Sequence, residues 1–189
     1  MTPAGDHCGE QDEEVFLRRM LLRLTTQDRR LVTALARRSA PFWMDRGFRV
    51  ITHAGGAAAT IGASLALMLH PATRGAGLVA GTANLLSHLA VQALKRTVVR
   101  PRPSLAVPGV TALAHLPDHF SFPSGHSAAA MAVAVGVFLA SPAAGLAALA
   151  IAVLVGMSRV YLRVHYATDV LVGQALGAAA AVLAQLSLA

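Results

Sequence analysis

Two histidines, one aspartate and a group of cations fall in three short stretches whose residue types suit phosphoryl transfer. In Ser158-Arg159-Val160-Tyr161-Leu162-Arg163-Val164-His165-Tyr166-Ala167-Thr168-Asp169, His165 and Asp169 are four apart. On a helix that spacing sets a carboxylate beside an imidazole. An aspartate holding one ring nitrogen fixes the tautomer and leaves the other nitrogen as a nucleophile. In Phe122-Pro123-Ser124-Gly125-His126, the residues stand just before an apolar run. Ser124 and Gly125 then lie at a helix N-terminus, where unpaired N–H groups attract an anion and Gly125 lets a phosphate approach the backbone. His165 can attack phosphorus while His126 protonates the leaving oxygen. Lys95, Arg102 and Arg159 supply fixed positive charge for the equatorial oxygens of a transferring phosphoryl group. Arginine grips phosphate through two parallel bonds, and Lys95 is the one lysine in a chain of 15 arginines.

Each stretch also has a plainer reading. Ser124 can be an ordinary helix cap beside an unrelated histidine, and a His-x3-Asp pair is a common structural hydrogen bond. Cations beside apolar segments reach for lipid headgroups, which is the reading adopted for Arg96, Arg100 and Arg163. Convergence decides between these readings, and the apolar segments provide it. Spans are expected at Ile51–His70, Gly75–Leu94, Pro123–Ala140, Ala143–Tyr161 and Val170–Ala189. Segments of about 20 residues reach about 30 Å as helices, the thickness of a bilayer core. The first motif ends span two, the second begins span three, and the third joins spans four and five. Alternation therefore puts all three at one membrane face. The expected fold is all-α, a polytopic membrane bundle of about five transmembrane helices. Gly173-x3-Gly177 offers a close helix contact, and Asn84 and His88 are expected to satisfy neighbouring helices. Residues 96–122 read as a loop, with prolines at 101, 103, 108 and 117.

Composition agrees with a membrane protein. The chain is 55% hydrophobic and 13% charged, with a mean hydropathy of +0.57, too apolar for an ordinary soluble domain. Nine of the 15 arginines fall between Arg18 and Arg49. The basic charge flanks apolar spans and has no interleaved aromatics to stack bases, so the expected partner is an anionic lipid surface, not nucleic acid. Residues 1–14 read as a disordered polar tail. Residues 15–49 read as an arginine-rich amphipathic helix lying in the headgroup layer, and residues 50–189 as the transmembrane catalytic domain. After Asp45 only Asp118 and Asp169 are acidic, so no carboxylate cluster offers a divalent cation a home and the chemistry is expected to need no metal or other cofactor. Cys8 has no partner for a disulfide, and no cleavable signal peptide is expected. The basic segment lies on the motif side, so the positive-inside tendency puts the site at the cytoplasmic face.

Taken in order, Lys95-x6-Arg102-Pro103, Pro123-Ser124-Gly125-His126 and Ser158-Arg159-x5-His165-x3-Asp169 resemble the signature of the type 2 phosphatidic acid phosphatase (PAP2) superfamily. Each motif alone is modest, but the ordered triplet with complete spacing is highly specific. The resemblance implies that His165 is the nucleophile of a phosphohistidine mechanism, that Asp169 orients it, and that His126 is the general acid. It implies phosphate binding by Lys95, Arg102, Ser124, Gly125 and Arg159. It also implies a metal-independent membrane enzyme of bacterial type, in the inner membrane, acting on phosphatidic acid, phosphatidylglycerol phosphate or undecaprenyl diphosphate. The alternative substrate is a polyprenyl-phosphoryl sugar phosphate of the decaprenyl-phosphoryl ribose type. A non-catalytic lipid-binding protein would not need His126, His165 and Asp169 together. Many members have six spans, and here the arginine-rich stretch stands where the first would be.

Overall fold

The computed structural model describes residues 7–116 and 118–189, with side chains from residue 19 onward. The described chain forms helices α1 (His7–Arg37), α2 (Phe42–His53), α3 (Ala57–Leu69), α4 (Arg74–Thr97), the single turn α5 (Pro103–Ala106), α6 (Gly125–Ala140), α7 (Pro142–Tyr161) and α8 (Ala167–Leu188). A 3₁₀ turn at Pro71–Thr73 joins α3 to α4. Among the described residues there is no strand, only an isolated antiparallel bridge between Pro101 and Phe120.

The 27 residues Pro71–Thr97, α7 and α8 are long and apolar enough to cross a membrane. The span expected as a straight helix at Ile51–His70 is instead a bent pair. Helices α2 and α3 meet at 51° across Ala54-Gly55-Gly56. The break has a steric partner: a Cβ on Gly55 would fall 2.7 Å from the His126 carbonyl oxygen and 2.5 Å from Val155. A glycine lets this corner press against α6 and α7. Helix α6 is apolar but only 16 residues long, about 24 Å against a core of about 30 Å, because Ser124 caps it and Pro123 stays outside.

Helix α6 is the centre of the bundle, packed against α4, α7 and α8. Its neighbours approach closely because small residues line the seams. A Cβ on Gly173 would lie 2.5 Å from the Ser124 carbonyl oxygen, and one on Gly177 would collide with the Ala128 carbonyl. The expected Gly173-x3-Gly177 contact therefore exists, and its partner is the opening of α6. Ala83, Ala132, Ala180, Ala181 and Ala184 fill the core beside it, with Val79. Without a hydrophobic drive between helices in lipid, such close backbone packing is the main cohesion. Asn84 donates to Thr60 at 3.2 Å, joining α4 to α3 as expected of a structural polar residue, whereas His88 is exposed.

Helix α1 lies against the motif end of the bundle through a narrow seam. Val32 packs with Val110 and Tyr166, flanked by Ala36 and Val107. Its other faces are open, and Met20, Leu21, Leu22, Leu24 and Leu31 are exposed beside arginines, the composition of an interfacial helix. Of the tail read at 1–14, residues 1–6 lie outside the described residues and 7–14 belong to α1. Phe42 and Trp43, at the start of α2, are also highly exposed, as residues anchoring at a membrane surface would be.

Candidate active site

The three motifs meet at one end of the bundle. Lys95 is in the last turn of α4, Ser124 caps α6, Arg159 is in the last turn of α7, and Asp169 is in the first turn of α8. The 98–124 connection folds back over them. Ser121 N–H donates to the Arg100 carbonyl at 2.8 Å, and Leu113 N–H to the Leu162 carbonyl at 2.9 Å.

His165 is in the α7–α8 connection, 2% exposed. Its Nδ1 is 2.6 Å from the Ser121 carbonyl oxygen. A carbonyl only accepts, so Nδ1 carries the proton and Nε2 keeps its lone pair. That lone pair accepts from Arg102 Nη1 at 3.3 Å. Burial, with the nearby Arg159 and Arg102 charges, pushes His165 down to about 4 although Asp169 pulls the other way. The ring is therefore neutral near pH 7, as a nitrogen nucleophile must be.

Asp169 holds a different place from the one its spacing suggests. His165 and Asp169 do not share a helix, since α8 starts at Ala167 and His165 precedes its cap. The Asp169 Oδ2 is 3.7 Å from Nδ1, in ion-pair range but beyond a hydrogen bond. It accepts instead from the Tyr166 N–H at 2.9 Å, tying down the start of α8. Its Oδ1 accepts from Arg100 at 2.6 Å. The hydrogen bond that orients the imidazole is thus made by Ser121, a backbone partner no spacing reveals, with Asp169 acting as a nearby charge.

Arg102 is 1% exposed and fully engaged. Its Nε and Nη2 donate to the Asp118 carbonyl and carboxylate, both at 2.7 Å, and Nη1 donates to the Val164 carbonyl at 3.0 Å. The other Asp118 oxygen accepts from Lys95 Nζ at 2.6 Å. Burial raises the Asp118 pKa, but the bonds and charges of Lys95 and Arg102 outweigh it and hold the carboxyl at about 2. Two of the expected phosphate cations are therefore already bridged by one carboxylate.

Among the described residues Arg159 has no such counterion. It is 3% exposed, donates to Thr52 at 2.9 Å, and leaves Nε without a partner. An uncompensated buried ion costs several kcal/mol even after relaxation. A bound anion would supply the missing partner. The start of α6 offers more donors. Ser124 N–H is taken by the Asp169 carbonyl at 3.0 Å, contrary to the expectation that it is free. The N–H groups of Gly125, His126 and Ser127 have no partner among the described residues. Ser124 is fully buried, and its hydroxyl accepts from Ser127 at 2.9 Å. His126 lies beside the Gly55-Gly56 corner, within reach of the charges of Arg159 and Arg102.

Arg100 departs from the lipid-facing expectation. It donates to Asp169, to Thr168 at 2.7 Å and to Asp28 at 2.8 Å, and lies 4.0 Å over the Tyr166 ring. Arg163 is likewise engaged, donating to the Leu35 carbonyl at 3.0 Å. Only Arg96, exposed at the end of α4, remains free to face headgroups. Among the described residues no three His, Cys, Asp or Glu side chains converge to hold a metal ion.

The profile of the PAP2 superfamily matches residues 76–188, which include every one of these site residues except the α1 and α2 contributors. The chain belongs to the PAP2 superfamily. It is 36% identical over 130 residues to a decaprenylphosphoryl-5-phosphoribose phosphatase of Mycolicibacterium smegmatis, covering 67% of this chain and 69% of that protein. It is 43% identical over 111 residues to phosphatidylglycerophosphatase B of Bacillus subtilis, covering 53% of this chain and 50% of the relative. The crystal structure of a transmembrane PAP2-type phosphatidylglycerolphosphate phosphatase from Bacillus subtilis superposes with a TM-score of 0.73. It is 28% identical and the match covers 92% of this chain and 94% of that one. The chain is thus an integral membrane protein of a phosphatase superfamily, with the helical fold its apolar segments require.

Proposed function

We propose that this PAP2 protein hydrolyses a lipid phosphate in two steps through His165. One observation carries the reading. A buried, neutral imidazole holds an unprotonated Nε2 against Arg102, in a site where buried Arg159 has no counterion among the described residues. A phosphate bound there would take the charge of Arg159 and the free N–H groups of α6. Nε2 attacks phosphorus, the bond from phosphorus to the lipid oxygen breaks, and His126 gives that oxygen its proton. Water then attacks phosphorus and yields a proton to His126, the P–N bond breaks, and inorganic phosphate leaves. The dianion itself favours a protonated His126. Throughout, Ser121 keeps the Nδ1 proton in place, and Asp169 offsets the positive charge of the phosphorylated ring. No step calls for a metal.

The substrate class is a phosphate or diphosphate on an acyl or isoprenoid tail, of the phosphatidic acid, phosphatidylglycerol phosphate or undecaprenyl diphosphate type. A polyprenyl-phosphoryl pentose phosphate is the second reading, favoured by the longer match to the mycobacterial-type phosphatase. Residues 50–189 form the catalytic unit, residues 15–49 an interfacial segment, and the host membrane is a bacterial inner membrane with the site at its cytoplasmic face. Phosphate release by detergent-purified protein across these four lipids, with chelator present, tests the reading. One lipid should be turned over, and His165→Ala should abolish that turnover. A His165→Ala protein of undiminished activity would overturn the mechanism.

A further inference from the structure

Asp28 is the one acidic residue between Val15 and Phe42, in a stretch holding seven arginines. It does not face them into solvent: it is 3% exposed, one turn before Val32 on the inner face of α1. One of its carboxylate oxygens accepts from Arg100 at 2.8 Å and from the Thr168 hydroxyl. The other accepts from the Thr168 N–H at 3.2 Å. The second arm of Arg100 donates to Asp169 at 2.6 Å. One guanidinium thus bridges two buried carboxylates, and one of these stands 3.7 Å from the His165 ring.

Charge counting gives this bridge a consequence. Arg100 and Asp169 alone would cancel, and this pair would then offer the ring of a phosphorylated His165 no net negative charge. With Asp28 the trio carries one net negative charge. Packing does not require that carboxylate. The seam of Val32 and Ala36 against Val107, Val110 and Tyr166, with Arg163 on the Leu35 carbonyl, also holds α1, and an apolar residue at 28 would avoid the desolvation that a buried ion incurs.

We propose that Asp28 is a positioning residue of the reaction: through Arg100 it leaves Asp169 its negative charge for His165, making α1 part of the active site. The inference rests on the reading of His165 as nucleophile. Asp28→Asn isolates the charge, since an amide oxygen still accepts from Thr168 and keeps α1 docked. The full-length protein in detergent, with dioctanoyl phosphatidic acid as probe, would be measured as wild type, Asp28→Asn, Arg100→Gln, the double variant and His165→Ala. Asp28→Asn should lower kcat about tenfold with KM within about twofold, because the lost charge acts on the transition state and not on phosphate binding. Removing Arg100 as well restores the net negative charge, so the double variant should be faster than Asp28→Asn alone. A merely structural Asp28 predicts the reverse, a double variant slower than either. The inference fails if Asp28→Asn keeps its kcat, if KM rises with the fall in kcat, or if the two losses multiply. Survival of turnover in His165→Ala would instead defeat the nucleophile assignment, so the two failures are distinguishable.

Discussion

At the scale of single residues, the site was legible in its chemistry and illegible in its wiring. His126, His165, Asp169, Lys95, Arg102 and Arg159 announce themselves by type and spacing. Their partners do not: Ser121 acts through a backbone carbonyl, and Asp118 through a loop whose prolines carry no periodicity. Arg100 resembles any cation beside an apolar helix until Asp28 and Asp169 are seen on either side of it. Two predictions belong here. Asp118 bridges Lys95 and Arg102 at 2.6 and 2.7 Å, so an incoming phosphate meets cations already paired. Asp118→Asn should tighten competitive inhibition by inorganic phosphate several-fold, and weaker inhibition would show that Asp118 is needed to aim the two cations. The second concerns pH. The folded His165 pKa lies below its ordinary 6.5, at about 4, so the folded chain binds fewer protons than the unfolded chain between these values. This group's contribution to stability is present above pH 6.5 and is lost as pH falls toward 4. The wild-type melting temperature should therefore decline across that window, and His165→Gln should flatten part of the decline.

At the scale of elements, apolar runs and their polar ends gave most helices within a few residues, while the exceptions have identifiable causes. Helix α8 starts at Ala167 instead of Val170 because the Asp169 carboxylate accepts from the Tyr166 N–H, and the cap residue is a tyrosine that sequence rules do not favour. The first span is bent because Gly55 lets the corner meet α6, and in sequence Ala-Gly-Gly reads equally well as close helix packing. Gly173 and Gly177 were legible as a contact, but not as the contact that seats the start of α6. Gly173→Ala places a methyl against the Ser124 carbonyl, and overpacking of this kind costs about 1–3 kcal/mol. It should shift the start of α6 away from Asp169, lowering kcat at least about tenfold, while far-ultraviolet circular dichroism stays unchanged. Gly62, whose added Cβ would meet nothing within 4 Å, is the control, and Gly62→Ala should keep wild-type turnover.

At the scale of the whole molecule, span alternation alone brings the three motifs to one face, and the structure adds α1 to that face through Asp28, Val32 and Arg163. The docked helix matters for orientation because it carries seven of the chain's arginines from Arg18 to Arg38. Arg46, Arg49 and Arg96 lie at the same end of the bundle, whereas the α3–α4 turn opposite carries Arg74 as its one arginine. Arginines that serve the site, such as Arg102 and Arg159, should be left out of such a comparison, and the asymmetry survives their removal. A membrane that retains positive loops on its cytoplasmic side would then hold α1 and the site inside. Substituting Cys8→Ser and adding Thr111→Cys, on the exposed part of the site-side loop, provides the test. An impermeant thiol reagent should leave intact cells unlabelled and react once they are permeabilised, while Ala72→Cys in the opposite turn should react at once. The reverse pattern would put the site on the outer face, and substrate would have to arrive already flipped across the bilayer.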